Sequence, residues 1–521
     1  MLVEPLFNQW YAWSYLISPA TAAMYIANLH LKIMESFVAA PQMHQAALKN
    51  PANLGGPFMN YDASRVGEVR ALRERTAGQF EQSLRLAEAV KTLDNILAEE
   101  ATGLSLEPLY QKVPEALRGY VELVYDLNNH PAMRFVEPLL YRSPFYDPTA
   151  QSVTLKSAEE DARPFVFSTP RLDGRDSLHL RVPFSHGGLD ELFRMKETPQ
   201  TFGFIKGQLG VADGDDELLA RLFTEEQPPP RPAFDGAGVR VRYFGHACVL
   251  VESARVSILC DPVIAYAGAG DVPRYTYADL PDKIDYVLLT HNHQDHCMFE
   301  TLLQLRHKIG TVVVPRNGGG SLADPSLKLI LRNVGFERVL ELDELESVEV
   351  DGGQITGVPF LGEHADLNVR TKLAYFIALE GHTVMCVADS NNVEPRLYEH
   401  VRQLLGDVDV LFVGMECDGA PLSWLYGPLL TKPLARKMDQ SRRADGSDFR
   451  KAMNLVEQFR PRQVYVYAMG QEPWLTYLTS IQYTAESRPI VESDKLVGEC
   501  HDRGLTAERL YGRKEIYLAP R

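Results

Sequence analysis

"YVLLTHNHQDHC", residues 286–297, sets three histidines and an aspartate within six positions at the end of an apolar run. Solvated loops do not gather imidazole and carboxylate groups this densely. The spacing is His291-x-His293-x-Asp295-His296. A loop leaving a strand end can aim His291 and His293 at one metal ion. The following turn can aim Asp295 and His296 at a second position. Two ions about 3.5–4 Å apart form the usual dinuclear arrangement. A polar loop with incidental histidines is the competing reading, and four ligand-type side chains in six positions weigh against it.

The flanking texture predicts the fold around this loop. "VRVRYFGHACVLVES", "VSILCDPVI", "KIDYVLLT" and "GTVVVP" are β-branched, alternating or continuous apolar runs. "VLELDELESVEV", "QITGVPF", "LAYFIALEGHTVMCVAD", "DVDVLFVG" and "RQVYVYAM" continue the series, with a hairpin turn at "EGH". Helix-like "MFETLLQLRHKIG" and "SDFRKAMNLVEQF" lie between strands. This order suggests two sheets sandwiched between outer helices.

The chain has 521 residues, more than one hydrophobic core usually supports. "TEEQPPPRPAFDGAG", residues 224–238, reads as a linker, because consecutive prolines continue neither a helix nor a central strand. The expected division is 1–230, a mixed α/β accessory domain for dimerisation or partner docking, and 231–521, the metal domain. In the first part, helix spacing runs on from Ser64, and "SVTLKS" and "LHLRVPF" read as strands. Residues 5–31 carry no formal charge but are interrupted by Asn8, Gln9, Ser14, Ser18, Pro19, Asn28 and His30. That pattern predicts a buried helix at a subunit interface, neither a membrane span nor a secretory leader.

Formal charge is −16, which disfavours nucleic acid and anionic membrane as partners. The six cysteines form no C-x-x-C pair and read as reduced core residues of a cytoplasmic protein. Cys297, beside the motif, reads as a small buried hydrophobe.

"HNHQDH" carries the hallmark H-x-H-x-D-H of the metallo-β-lactamase superfamily, and the sequence resembles it in order as well. "LCDPV" lies upstream and "MCVADS" downstream, over about residues 239–480. The resemblance implies an αββα sandwich in which Asp389 bridges two metals. Hydrolases of that superfamily add two more histidines. Here the first slot, "VPFLGEHADL", offers Glu363 and His364 side by side. The second, after "RQVYVYA", reads "MGQEPW" and has none. His307, His382, His400 and His501 fit neither slot. Carboxylate-rich shells suit iron that activates oxygen, whereas zinc hydrolases favour nitrogen.

The combination resembles a narrow branch, the diiron β-hydroxylases of the chloramphenicol-biosynthesis type, in which an N-terminal α/β domain precedes the metal domain. That resemblance implies the ligands His291, His293, Glu363, Asp295, His296 and Asp389, with Glu363 and Asp389 catalytic as well as ligating. It implies two iron ions, O2 as co-substrate and an external electron donor. The implied partners are a nonribosomal peptide synthetase thiolation domain carrying aminoacyl-phosphopantetheine, a reductase, and a second copy in a homodimer. The rival reading is a dinuclear zinc hydrolase, of lactonase or thioesterase type, with His364 as ligand.

Further candidates surround this set. Glu416 is read either as a base near the metals or as a solvent-facing acid. Trp424, Tyr426 and Trp474 either line an aromatic pocket or pack the core. His246 is read as a core histidine or a neighbour of the ligands. "KPLARKMDQSRRADGSDFRK", residues 432–451, is the most basic window and either a docking surface or a solvated loop.

Overall fold

The computed structural model describes residues 1–50, 53–158, 160–228, 234–268 and 270–521. The prolines at the centre of the expected linker, and the boundary at 230/231, lie outside the described residues.

The N-terminal region begins with strands β1 (Leu2–Phe7) and β2 (Trp10–Tyr11). The hairpin of β3 (Val121–Tyr125) and β4 (Pro131–Phe135) follows. Strands β5 (Gln151–Lys156) and β6 (Ser177–Leu180) complete a four-stranded sheet of order β2-β1-β5-β6. "SVTLKS" is therefore the central partner of the first strand, pairing Leu2 with Lys156 through Phe7 with Gln151. The helical pattern after Ser64 resolves into two helices, Val66–Gln79 and Glu81–Glu100.

Residues 5–31 differ from expectation. They form the end of β1, the tight turn into β2, and a helical series from Ser14 onward. They are buried almost throughout against their own chain, so the segment forms no single helix and offers no subunit interface. Asn8 and Gln9 turn the hairpin in the left-handed region, φ 48° and 63°, which a helix cannot accommodate.

The C-terminal region supplies β7 (Val239–Gly245), β8 (Cys248–Glu252), β9 (Ser257–Cys260), β10 (Ile284–Leu288), β11 (Ile309–Pro315) and β12 (Val339–Leu342). It continues with β13 (Ser347–Val350), β14 (Gly353–Val358), β15 (Ala374–Leu379), β16 (His382–Cys386), β17 (Val410–Gly414) and β18 (Gln463–Tyr467). Strands β19 (Thr506–Arg509) and β20 (Lys514–Leu518) end the chain.

Two seven-stranded sheets result, of order β12-β11-β10-β9-β8-β7-β20 and β13-β14-β15-β16-β17-β18-β19. The single run "VLELDELESVEV" thus splits between the sheets, with its acidic middle making the crossing. β9 to β12 are parallel, as are β16 to β19, and such doubly covered strands are continuous apolar runs. Val241, Val249, Leu288 and Val313 of one sheet meet Ile377, Cys386, Phe412 and Tyr467 of the other in the central core. Helices Pro395–Leu405, Phe449–Phe459 and Arg488–Asp502 cover the second sheet through Tyr398, Val456 and Leu496.

The first sheet's outer face has a different cover. One apolar cluster joins Trp13, Leu16 and Met24 of the N-terminal region with Phe299, Leu302, Leu422 and Tyr426. An ionic knot crosses the same seam. The Glu300 carboxylate accepts from Tyr11 Oη at 2.7 Å, Arg163 Nη1 at 2.9 Å and Tyr477 Oη at 3.1 Å. Glu137 accepts from the Ser326 amide at 3.1 Å. The strand-end loops that follow β7, β9, β10, β14, β16, β17 and β18 gather at one edge, where ligands bind in sheets with parallel crossovers.

Candidate metal centre

β10 delivers the histidine motif. Its last residues are locked by Asp261, at the end of β9, which accepts from the Thr290 amide at 2.8 Å and the Thr290 hydroxyl at 2.6 Å. The same aspartate holds His296, Nδ1 to Oδ2 2.8 Å. Its pairing leaves Nε2 of His296 free to face inward, 2.9 Å from Asp389 Oδ2. A carboxylate on the far ring nitrogen fixes the tautomer of a metal-binding histidine.

His293 is oriented by the equivalent device. Its Nε2 lies 2.8 Å from Tyr426 Oη, and its Nδ1 points at Glu363 Oε1, also 2.8 Å away. His291 Nε2 lies 3.8 Å from Glu363 Oε2 and 3.9 Å from Asp389 Oδ2. Asp389 Oδ2 therefore stands between His291 and His296, where a bridging oxygen would sit. Asp295 faces His246, with Oδ2 3.3 Å from Nε2.

Three ligand-type clusters emerge: His291, His293, Glu363 and His364; His291, His296 and Asp389; and His246, Asp295 and His296. All the expected ligands come together, with His291 shared by the first two clusters and His296 by the last two. A chemical test of fit is what these atoms bond to. His246 Nε2, His291 Nε2, His296 Nε2, Glu363 Oε2, His364 Nε2 and Asp389 Oδ1 are buried and make no hydrogen bond. Buried polar atoms are almost always satisfied, so inward-facing orphans on one spot fit cations as the missing partners.

Glu363 and His364 are distinguished by their neighbours. His364 Nδ1 lies 2.9 Å from Glu363 Oε2 and 3.3 Å from the Gly362 carbonyl. Both are acceptors, so Nδ1 carries the proton, and His364 Nε2 is left buried without a hydrogen bond. Burial opposes the Glu363 charge, yet the imidazoles of His293 and His364 pull its pKa down to about 2. Burial likewise opposes charge on His296, and Asp389 with Asp261 pulls its pKa well up. Burial and neighbouring imidazoles push His291 down.

The loops are strained to achieve this. His246, Asp261, Glu363, Ala365, Asp366, Ala388 and Ala468 all have positive φ, each in a strand-end loop at this edge. Left-handed non-glycine backbone costs about 1–3 kcal/mol per residue and clusters at functional sites.

His246 shows how the slot without a histidine after β18 is filled. Its amide donates to Glu472 Oε1 at 2.9 Å, and its Nδ1 accepts from the Gly470 amide at 3.2 Å. An accepting Nδ1 puts the ring proton on Nε2, facing Asp295. His246 Nε2 thus faces the aspartate at 3.3 Å, buried and without a hydrogen bond. The sequence allowed His246 as a neighbour of the ligands, but its ties to Gly470 and Glu472, 224 and 226 positions away, are tertiary.

A pocket of about 230 Å³ opens onto the centre, lined by His293, Asp295, Glu363, Asp389, Glu416, Trp424 and Tyr426. Burial pushes the Glu416 carboxyl well above its usual range, and nearby Asp389, Asp295 and Glu363 reinforce this. Trp474 is not part of it. It packs against Gly245, where a Cβ would come within 2.8 Å, and under the Arg274 guanidinium at 4.4 Å. Burial of its large face beneath β7, not proximity in sequence to the metal loops, decided its place. Cys297 is fully buried outside every ligand cluster. His307, His382, His400 and His501 also stand outside them.

Fold and site together define a metallo-β-lactamase-like protein with a carboxylate-rich candidate metal centre. Residues 257–466 match the β-lactamase superfamily domain, and residues 1–228 match the diiron non-heme β-hydroxylase N-terminal domain. The 4-amino-L-phenylalanyl-(CmlP-peptidyl-carrier-protein) 3-hydroxylase of Streptomyces venezuelae is 41% identical over 99% of this chain and 98% of its own. The chain belongs to the diiron β-hydroxylase family. The crystal structure of CmlA, a diiron β-hydroxylase from Streptomyces venezuelae, matches with a TM-score of 0.92 and 40% identity over 99% of this chain and 98% of that one. A glutamate-to-aspartate variant of the CmlA β-hydroxylase matches with a TM-score of 0.90 at 40% identity over the same shares. The dinuclear zinc hydrolase considered from the sequence finds no support beside a whole-chain match to a hydroxylase. Among the described residues, no helix is long and apolar enough to cross a membrane.

Proposed function

We propose that this chain is a diiron monooxygenase that uses O2 to hydroxylate the β-carbon of an amino acid tethered to a nonribosomal peptide synthetase thiolation domain. Such a step belongs to the biosynthesis of a peptide-derived natural product. One ion is assigned His291, His293 and Glu363, the other Asp295 and His296, with Asp389 bridging. The observation that carries this reading is Glu363, whose inward oxygen fills the slot where hydrolases hold nitrogen. Bound iron would supply the oxygen-activating redox chemistry.

The chain's own residues do the rest. Tyr426 and Asp261 fix the tautomers of His293 and His296. His364 and His246 stand beside the carboxylates of Glu363 and Asp295, at 2.9 Å and 3.3 Å. The pocket wall of Trp424, Leu425 and Tyr426 keeps water from the reacting carbon and sets its distance from the centre. The Glu416 carboxyl has no hydrogen-bond or ion-pair partner among the described residues, and is placed to hold a proton at the pocket wall.

An external electron donor delivered by a reductase is part of the proposal, since the sequence carries no flavin or iron–sulfur motif. Residues 1–230 and 231–521 are the proposed domains, in keeping with the family matches on either side of that point. The cytoplasm is the proposed compartment, in keeping with six free, buried cysteines. A homodimer stays in the proposal, now without the support of residues 5–31.

The test is anaerobic reconstitution with ferrous iron, Mössbauer spectroscopy, and hydroxylation of aminoacyl-loaded thiolation domains under isotopically labelled dioxygen. Coupled iron and label in the β-hydroxyl group are expected. Protein that binds only zinc and hydrolyses the thioester would sink the proposal.

A further inference from the structure

The basic window is fastened to the lip of the metal pocket. Helix Arg436–Ser441 lies against the pocket-lining helix Leu422–Tyr426. Asp439 secures it, accepting from both the Ser423 amide and the Ser423 hydroxyl at 2.8 Å. The chain then returns along the pocket. Arg443 bridges Pro421 in antiparallel fashion and lines the cavity that also holds Glu363 and Asp389. Arg442 Nε donates to the Ala365 carbonyl at 3.0 Å, in the loop that carries Glu363. The segment is a built part of the entrance, and the solvated-loop reading fails on these ties.

Its outward face has spare charge. Lys432, Arg436 and Lys437 are exposed, and none has an ion-pair partner among the described residues. In a chain of net charge −16, three unpaired cations in six positions at a pocket mouth make a local field opposite to that of the whole. Met438, 51% exposed, sits between them and supplies an adaptable apolar contact. A substrate that arrives on a phosphopantetheine arm brings a phosphodiester anion through this entrance.

We infer that Lys432, Arg436, Lys437 and Met438 form the docking surface for the anionic face of the carrier protein around its phosphodiester. The inference rests on the proposed function and adds where the partner sits. Electrostatic complementarity of this type acts mainly on encounter and falls with ionic strength.

The test compares wild type with K432E/R436E/K437E and with a charge-matched control, K49E/R70E/R142E, at exposed positions of the N-terminal region. Iron content and thermal unfolding of each variant report folding. Hydroxylation kinetics on an aminoacyl-loaded thiolation domain are measured from low to high salt. The lip reversal is expected to raise KM by about tenfold or more at low salt, keep kcat, and flatten the salt dependence. The control is expected to shift KM far less. An unchanged KM in the lip variant, or an equal rise in the control, overturns the inference. So does binding of wild type to phosphatidylserine vesicles that only the lip reversal abolishes, with carrier KM unmoved. Wild type that binds the loaded carrier in a lip-dependent way but transfers no oxygen would defeat the proposed function while sustaining the surface.

Discussion

The strand-end loops and the N-terminal region are built on opposite terms. The loops bend through left-handed backbone at Glu363 and Ala388 and leave Glu363, Asp389, His291 and His296 with orphaned buried atoms. The N-terminal region contributes no ligand. It packs a large apolar cluster against the metal domain and grips the metal loop from behind. Ser14 Oγ donates to the Asn292 carbonyl at 3.1 Å, between two candidate ligands. Tyr15 donates to the Ala323 carbonyl at 2.7 Å, and its ring lies tilted at 55° to that of Tyr426, centroids 6.3 Å apart. The difference teaches a division of labour: one region stores strain and charge, and the other supplies the burial that keeps them in place. A domain described as accessory is a structural wall of the site.

The strongest way to break the comparison is at the loops. Glu363→Ala is expected to cut hydroxylation by about a thousandfold and to abolish the coupled Mössbauer signal, since a ligand's share of metal chemistry is worth several kcal/mol. His364→Ala, which removes the imidazole beside Glu363 and leaves that carboxylate in place, is expected to retain two irons per chain. Equal iron loss in both would erase the distinction between the two residues.

The seam gives the next effect. Glu300→Gln leaves the Arg163 guanidinium buried over the Tyr477 ring, with the longer Glu4 contact at 3.4 Å as its remaining ion pair among the described residues. Breaking a buried pair costs about 3–5 kcal/mol. Chemical denaturation should show that loss as one cooperative transition covering both regions, because they share one apolar cluster. Two separated transitions would show the wall to be independent.

Glu137 sharpens the same point through pH. Burial raises its pKa to about 7, against partial relief from the Ser326 amide. The folded state thus holds a proton that the unfolded state releases near 4.5, so this group's contribution falls as pH rises from about 4.5 through about 7. Glu137→Gln removes that dependence. Relative to wild type it should gain up to about 3 kcal/mol at pH 8 and little at pH 4, by 1.36 kcal/mol per pKa unit. Equal stability changes at both pH values would count against it.

The smallest expected effect tests where the regions touch. Tyr426→Phe removes the partner of His293 Nε2 and should weaken iron affinity by about 10–100-fold without unfolding the protein. Iron titration of the apoprotein measures it. Unchanged affinity would mean that the ring is held by packing alone.

The sequence by itself determined the sandwich and the motif. Each strand is a local apolar run, and His291 through His296 lie on one loop whose direction β10 sets. It also narrowed the middle slot to Glu363 or His364. Only tertiary structure showed how those two side chains lie against each other, because that depends on the Gly362 carbonyl and a left-handed turn. Only packing sent Trp474 under β7, turned residues 5–31 into a hairpin and helices inside the chain, and brought His246 to Asp295 from a distant strand. Those outcomes depend on contacts between residues far apart in the chain, and a local pattern of side chains contains no record of which distant surfaces will meet.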